Sequence, residues 1–209
     1  ELCHVHIRGY NECFGRLAMA FRGSPSSPEA RLNGFVAAAA AYSRREGLQD
    51  VNGVRAMGYY DWNDLPYYYE LASQFPISDR YFASAPASTL TNRLYLLGGS
   101  SFGRAFSNFP EGAQYQHDTI FDLCEQHGIS WRIYVNGDFT YYNWFVGSNR
   151  HREDGKIAPA EQFFSDVADG TLPQVVLIES GTSTGYDEHP RNNIQRGVAF
   201  LKQYFDAVM

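Results

Sequence analysis

The sequence predicts an α/β fold with a mostly parallel central sheet. A helix followed by a strand occurs twice, over residues 118–135 and 160–178. The second of these strands is an almost continuous apolar run, which is typical of parallel strands covered on both faces. With 209 residues, 44% of them hydrophobic and 19% charged, the chain is long enough for one domain with a substantial core.

Composition excludes several classes of protein. Seventeen basic and 23 acidic residues give a net charge of −6, so we expect no nucleic-acid partner. No run approaches the ~20 apolar residues of a membrane span, so we expect no transmembrane segment. Three cysteines are too few for a disulfide scaffold, although a bridge between Cys3 and Cys13 stays open. The chain begins at Glu1 without a targeting signal and stops inside a helical pattern, so both ends are expected to be cut.

Capping residues and apolar periodicity predict the elements of the first half of the chain. Glycines and prolines mark the expected ends: Gly47 stops the first helix, Pro66 fits the first turn of the second, and Gly98 stops the third. The predicted elements are a helix from Ser27 to Arg45, a helix from about Asn63 to Phe75, a strand over Asp79–Ala83, a turn over Ala85–Ser88 and a helix over Asn92–Leu97.

The same signals predict the second half. The elements are a helix over Thr119–Gln126 capped by Asp118, a strand over Ile129–Val135, a helix over Ala160–Ala168, a strand over Leu172–Ile178 and a last helix from Ile194. Ligands of parallel sheets bind beyond the carboxyl ends of the strands. The loops after Val135 and Ile178 are therefore the predicted place for chemistry.

The loop Asp187-Glu188-His189-Pro190 is the first candidate site. Its two acids and its imidazole are competent ligands for a divalent cation, and a protonated His also binds a phosphoryl oxygen. The alternative is a solvated turn that Pro190 ends.

The second candidate is Ser88-Thr89-Leu90-Thr91-Asn92-Arg93, at a predicted helix start. Backbone N–H groups and the helix dipole favour an oxyanion there, and a hydroxyl becomes a nucleophile when a base or a metal lowers its pKa. The alternative is an ordinary helix cap with Arg93 facing solvent.

Other motifs indicate less. His4 and His6 alternate as on one face of a strand, a spacing that an edge strand also explains. The tyrosines at 59–60 and 67–69 are able to line a cleft, but their spacing favours the core, and we assign them no catalytic role. The sequence has no Gly-rich nucleotide loop and no Gly-x-Ser-x-Gly elbow.

Several motifs, taken together and in order, resemble the bacterial phosphoesterase family, which contains phospholipases C and acid phosphatases. The resemblance runs from about Asn33 to Met209 of a single domain over 1–209, whereas residues 1–32 match poorly. The motifs are Met57–Tyr60, Asp64–Ala72, Ser78–Phe82, Thr89–Tyr95, Thr119–Phe121, Gly128–Tyr134, Leu172–Val175 and Asp187–Pro190.

The resemblance implies an alkaline-phosphatase-like sandwich. It also implies metal-dependent hydrolysis of phosphate esters, phospholipids among them, by a secreted or periplasmic enzyme. In the family's Thr-x-Pro-Asn-Arg motif the hydroxyl residue is the nucleophile and a metal ligand, and it falls on Thr89. Asn92 and Arg93 match the substrate-binding part of that motif, while Thr91 replaces the proline. The histidine that faces the phosphate falls on His189.

Two family segments that supply metal ligands have no counterpart here, a Glu-Asn-Arg-Ser-Phe-Asp stretch and a later Asp-Glu-x-Gly-Gly stretch. We therefore expect a sandwich incomplete at both ends, with most ligands of an unidentified divalent cation outside this chain. Asp187 and Glu188 are secondary candidates for ligands, and His4 for the substrate site. The alternative is a non-catalytic fragment or degenerate relative that binds lipid or sugar through an aromatic cleft.

Overall fold

The computed structural model describes most of the chain from residue 34 onward, and the chain divides into two compact units. His4, Cys3, Cys13 and the start of the first predicted helix lie outside the described residues. The described residues are 34–85, 87, 89–104, 111–137, 139–181, 184–189 and 192–209.

Of the described residues, the first unit contains 34–61, 82–85, 87, 89–92 and 103–104. Its helix α1 spans Phe35–Arg45 and buries alanines 38–40 together with Ser43. The predicted stop is confirmed, because Gly47 has a positive φ and the backbone N–H of Leu48 donates to the carbonyl of Ser43 over 2.8 Å. A 3₁₀ turn over Val54–Met57 follows.

Helix α2 spans Pro66–Gln74 and belongs to the second unit. It lies within the range over which the sequence predicts a helix. Helix α3 spans Thr89–Gly98 and so begins three residues before the predicted Asn92. The expected strand over 79–83 is wrong. Residues 79–80 form a turn, and Tyr81 and Phe82 are exposed. No strand within the described ranges pairs with this segment, and an extended backbone needs such a neighbour for its hydrogen bonds.

The sheet of the second unit is parallel, which confirms the predicted fold class. Its strands are β1 (Trp131–Val135), β2 (Ile157–Pro159) and β3 (Val175–Glu179). They lie in the order β2-β1-β3, with Ile133 opposite Ile157 on one side and Val135 opposite Glu179 on the other. The short strand β2 was not predicted.

Four further α-helices of the described residues precede, connect or follow the strands. Thr119, and not Asp118, caps the first of them, because its side chain accepts from the N–H of Phe121 while Asp122 accepts from the N–H of Thr119. None of the helices in the described part of the chain has the length and apolar character needed to cross a membrane. The four are α4 (Ile120–Gln126), α5 (Ser148–Glu153), α6 (Gln162–Ala168) and α7 (Ile194–Val208).

Strand β1 is the one covered on both faces. On one face Trp131 stacks on Phe121 of α4, with ring centroids 4.5 Å apart. On the other, Tyr134 contacts Phe163 of α6 at 5.3 Å and belongs to the core cluster that Tyr204 of α7 completes. The sequence assigned such cover to the third strand, but four of its five residues are only half-buried. Aromatic packing therefore fixes β1 as the centre of this unit.

A buried carboxylate ties α6 to β1. Asp166 accepts hydrogen bonds from Arg132, Tyr134 and, over 3.0 Å, from Gln162. Burial by itself raises the pKa of Asp166, but the bonds from Tyr134, Gln162 and Arg132 outweigh it and hold that pKa below its ordinary value. Burial and the bond to Asp166 raise the pKa of Tyr134 to about 12. The ionised carboxylate is thus the stable form in the fold.

We predict that Asp166→Ala lowers the free energy of unfolding at pH 7 by about 3 kcal/mol, because Arg132 loses its buried counterion. A carboxylate with a depressed folded pKa stabilises the fold above its unfolded pKa of about 4, and this contribution is lost as pH falls through the folded pKa. Denaturant unfolding between pH 7 and pH 3 should therefore show that the difference in free energy of unfolding between the wild type and Asp166→Ala becomes smaller in acid. Asp169→Asn, on an exposed side chain one residue past α6, is the control. Equal losses in both variants would contradict the assignment.

Candidate functional site at the carboxyl ends of the strands

The carboxyl ends of β1 and β3 lie side by side and are tied together by the residues that follow them. The N–H of Asn136 donates to the carbonyl of Glu179 over 2.9 Å, and Asn136 Nδ2 donates to the carbonyl of Ser180 over 3.2 Å. Gly181 has φ +81, and a Cβ there would lie 2.2 Å from the Asn136 carbonyl oxygen. The two loops in which chemistry was predicted therefore leave the sheet in close contact.

Glu179 places a carboxylate at this edge of the sheet, with only 8% of the residue exposed. Thr140 Oγ1 donates to Glu179 Oε1 over 3.3 Å, and the backbone N–H of Tyr141 donates to the same carboxylate. Burial raises the pKa of Glu179, and the charge of Arg93 with the bonds from Thr140 and Tyr141 offsets this only in part. The site therefore holds a desolvated carboxylate.

Arg93 of α3 lies between this carboxylate and an aromatic ring. Its Nη2 is 4.0 Å from Glu179 Oε2, and its guanidinium carbon is 5.2 Å from the ring centroid of Tyr141. At 4.0 Å the first contact is an ion pair rather than a hydrogen bond, so it locates the guanidinium without a direct N–H···O bond to Glu179. The alternative interpretation, an ordinary cap with Arg93 facing solvent, does not describe this packing, since the Arg93 side chain is only 35% exposed.

The wall beside Arg93 is aromatic. Phe139, Tyr141 and Trp144 meet edge to face, with ring centroids 5.2–5.3 Å apart. Burial raises the pKa of the Tyr141 phenol, Arg93 opposes that, and the charges of Glu179 and Asp187 raise it further. The phenol of Tyr141 therefore stays protonated. The charge of Asp187 acts on this phenol together with the charges of Arg93 and Glu179.

The loop with the predicted acids and histidine forms a closed turn. Asp187 Oδ1 accepts from Asn192 Nδ2 and, over 3.4 Å, from the N–H of His189. The N–H of Asn192 donates back to the carbonyl of His189 over 2.8 Å. His189 is exposed at the tip. This accounts for part of the loop as an ordinary turn, the alternative that the sequence left open.

Glu188 points away from that turn. Tyr68 of α2 donates to Glu188 Oε1 over 2.5 Å, and burial and this bond raise the pKa of Tyr68. Glu188 has φ +53, a left-handed conformation that costs a residue with a Cβ about 1 kcal/mol. Gly197 of α7, which lies against the Glu188 side chain, costs the helix about 1 kcal/mol relative to alanine.

The start of α3 carries the predicted nucleophile. Thr89 is the first residue of the helix and is half-buried, and Ser88 before it lies outside the described residues. Asn92 Oδ1 accepts from the N–H of Ala85 over 3.0 Å, while its Nδ2 donates to the carbonyls of Ala85 and Ala87, each over 3.1 Å. Both amide hydrogens thus hold the preceding turn, and binding of substrate through Nδ2 would require one of them to be released.

Thr91 lies in the same turn of α3, where the family motif has proline. The residue is 1% exposed, and its Oγ1 has no hydrogen-bond partner among the described residues. A buried, unpaired hydroxyl costs free energy. This hydroxyl therefore does not act as the cap of the helix.

The structure groups these residues differently from the sequence prediction. Within the second unit it brings Arg93 together with Glu179, Thr140 and Tyr141. Of these four residues, the sequence predicted only Arg93 as part of a site. Thr89 and Asn92 belong to the first unit and His189 to the second, so the approach of Thr89 to His189 stays a prediction. An acid that ends an apolar strand was the available signal for Glu179.

Metal ligation also stays a prediction. Across the described ranges, no group of three or more His, Cys, Asp and Glu side chains is arranged to hold a metal ion. The carboxylates of Asp187 and Glu188 accept hydrogen bonds from Asn192 and Tyr68 instead. The described residues therefore do not form a metal centre by themselves.

Parallel strands with covering helices, and polar groups gathered at the carboxyl ends of the strands, define an α/β protein with a strand-end site. The chain belongs to the phosphoesterase family, whose model matches residues 4–209. This confirms the family resemblance of the sequence motifs.

The chain is similar to several phospholipases C. Non-specific phospholipase C4 of Arabidopsis thaliana is 27% identical over 214 residues, which cover 95% of this chain and 37% of that protein. Non-specific phospholipase C6 of the same plant is 31% identical over 157 residues, 69% of this chain and 29% of that protein. Non-hemolytic phospholipase C of Burkholderia pseudomallei is 28% identical over 197 residues, 75% of this chain and 28% of that protein. The chain thus spans less than two fifths of the length of these relatives.

We predict that Glu179→Gln raises the free energy of unfolding of the protein at pH 7. The folded pKa of Glu179 is raised, so the stability linked to its protonated form is present below the unfolded pKa of about 4.3 and is lost as pH rises through the folded pKa. Glutamine keeps the neutral form at every pH.

Denaturant unfolding at pH 7 and pH 4 checks this, with the exposed Glu153→Gln as control. The advantage of Glu179→Gln should shrink at pH 4. A variant that is less stable than the wild type at both pH values would show that the ionised carboxylate is a net stabilising group.

Proposed function

We propose that the protein containing this chain hydrolyses phosphate esters, as a phospholipase C or acid phosphatase does, with Thr89 as the nucleophile. The observation that carries the proposal is the family match over residues 4–209, which includes the Thr-x-x-Asn-Arg motif at the start of α3. The relatives named phospholipase C support a phosphodiester, and a phospholipid among such esters.

The proposed reaction has two steps. Thr89 Oγ attacks phosphorus, the bond from phosphorus to the leaving alcohol oxygen breaks, and that oxygen takes up a proton. Water then attacks the phosphothreonine and releases Thr89 with its proton. The position of Thr89 as the first residue of a ten-residue helix supports this assignment, because the positive end of a helix dipole favours an anion.

Charge that develops on the phosphoryl oxygens requires cations and hydrogen-bond donors. We assign this to Arg93, which follows Thr89 by one helical turn and which Glu179 and Tyr141 hold in place, and to the imidazole of His189. Asn92 contributes by fixing the turn over residues 85–87 that leads into Thr89.

A divalent cation is part of the proposal, on the strength of the family resemblance. When bound, it would lower the pKa of a coordinated hydroxyl and neutralise phosphate charge. Thr89 Oγ is its proposed ligand in this chain, and its other ligands would come from outside the described residues. Export of the protein is likewise proposed from the resemblance.

We predict that Thr89→Ala, in the longest reading frame that contains this chain, lowers turnover of p-nitrophenyl phosphate and of bis-p-nitrophenyl phosphate by about 1,000-fold or more. The two esters separate monoesterase from diesterase activity, and a chelator with metal add-back tests the cation. Thr91→Val is the matched control, since it removes an unpartnered buried hydroxyl two residues away and should leave activity and stability intact.

Near-normal turnover by Thr89→Ala would reject the nucleophile. Absence of turnover by the wild type with every metal tried, together with saturable binding to lipid vesicles or sugars, would favour the non-catalytic alternative.

A further inference from the structure

The carboxylate of Glu188 is held by two elements outside its own loop. Tyr68 of α2 donates to its Oε1 over 2.5 Å, and its side chain lies on Gly197 of α7. All three residues belong to the second unit. We call the contact of Tyr68, Glu188 and Gly197 the Glu188 anchor.

Gly197 gives the anchor its geometry. A Cβ at position 197 would lie 2.1 Å from Glu188 Cγ and 2.6 Å from Oε1, so any other residue displaces the Glu188 side chain. Glycine inside a helix is unfavourable, and so is φ +53 at a glutamate. Two locally unfavourable choices meet at one contact, which indicates that position rather than local stability determines these residues.

The residues on either side of Glu188 carry the candidate chemistry. Asp187 Oδ1 accepts the N–H of His189, and the carbonyl of His189 accepts the N–H of Asn192 over 2.8 Å. The turn is therefore internally bonded. The anchor attaches it to α2 and, beside the stacking of Tyr186 on Phe200, to α7. Glu188 directly precedes His189, so a shift of the Glu188 backbone would also shift the backbone of His189.

We infer that Tyr68, Glu188 and Gly197 are positioning residues that fix His189 for the reaction. The inference rests on the proposed function, in which His189 contacts the phosphoryl group. In this inference Glu188 acts by positioning its neighbour His189 and not by binding a metal ion. Tyr68 holds Glu188, a role that the aromatic pattern of α2 does not predict.

The chain offers a matched control for the hydroxyl of Tyr68. Tyr67, the preceding residue of α2, donates to Asp206 Oδ1 of α7 over 3.4 Å. Tyr67→Phe and Tyr68→Phe thus each remove one phenol oxygen that bridges the same helix to a carboxylate. Only the second touches the loop of His189.

The first measurement follows the loop itself. Hydrogen exchange of the Asn192 amide, measured by NMR on the full chain, reports the closed turn, because that N–H donates to His189. We expect Tyr68→Phe to speed this exchange about tenfold, and Tyr67→Phe to leave it within about twofold. Equal exchange in the two variants would overturn the anchor, whatever the enzyme does.

The second measurement is kinetic, on the longest reading frame with p-nitrophenyl phosphate. We expect Tyr68→Phe to lower kcat about 10- to 100-fold with little change in KM, because misplacing a reacting group by about 1 Å has effects of this size. Tyr67→Phe should keep kcat. If Thr89→Ala abolishes turnover while Tyr68→Phe keeps kcat, the inference fails and the proposed function stands; if Thr89→Ala keeps turnover, the proposed function fails first.

Gly197→Ala separates position from stability. Alanine favours the helix, yet its Cβ expels Glu188, so kcat should fall as in Tyr68→Phe. We expect the clash in Gly197→Ala to lower the unfolding midpoint despite this helix preference. The double variant Gly197→Ala with Glu188→Ala removes the clash, so its midpoint should recover while kcat stays low. Recovery of kcat together with stability would overturn a positioning role. Tyr68→Phe, which deletes a single oxygen, carries the test if Gly197→Ala does not fold.

Discussion

The candidate site depends on the contacts of one buried carboxylate, that of Glu179, with Thr140, Tyr141 and Arg93. Parallel pairing sets Val135 opposite Glu179, so the last residue of β3 lies beside the end of β1. The loop after β1 can then supply Thr140 and Tyr141 to that carboxylate. The desolvated carboxylate attracts Arg93 from α3. Sheet register thereby determines the position of the Arg93 guanidinium. A site for phosphate requires a cation in a fixed position.

The packing that stabilises the fold and the candidate strand-end site lie in different parts of the second unit. Around β1 the rings of Phe121 and Trp131 stack, and the buried carboxylate of Asp166 accepts hydrogen bonds from Arg132 and Gln162, as stabilising interactions do. The strand-end region instead contains a carboxylate with a raised pKa and a glutamate with positive φ. Such local costs are tolerated where the surrounding structure fixes the residue, and they mark places where position matters.

Much of the fold was predictable because it depends on local signals. Caps and glycines located the ends of most helices, and the two helix–strand units predicted parallel pairing. The errors have local causes as well. Three-residue β2 is too short for a periodicity, and Asp122 made Thr119 the better cap than Asp118. An apolar run alone did not tell which strand is covered on both faces, since cover depends on the helices that pack against it.

The site was predictable only where a motif carries it. Thr89, Arg93 and His189 follow from motifs, whereas Glu179 and Tyr68 act through contacts across 86 and 120 positions of sequence, Arg93 to Glu179 and Tyr68 to Glu188. No periodicity encodes such pairs. The candidate loop is thus recognisable in the sequence, while its contacts with distant residues are visible only in the packed structure.

A trapped reaction intermediate tests the central claim most directly. The longest reading frame that contains this chain would be mixed with bis-p-nitrophenyl phosphate, quenched in acid during turnover, digested and mapped by mass spectrometry. The account predicts a phosphorus-containing adduct on the hydroxyl of Thr89. Turnover with the adduct on another residue would contradict it.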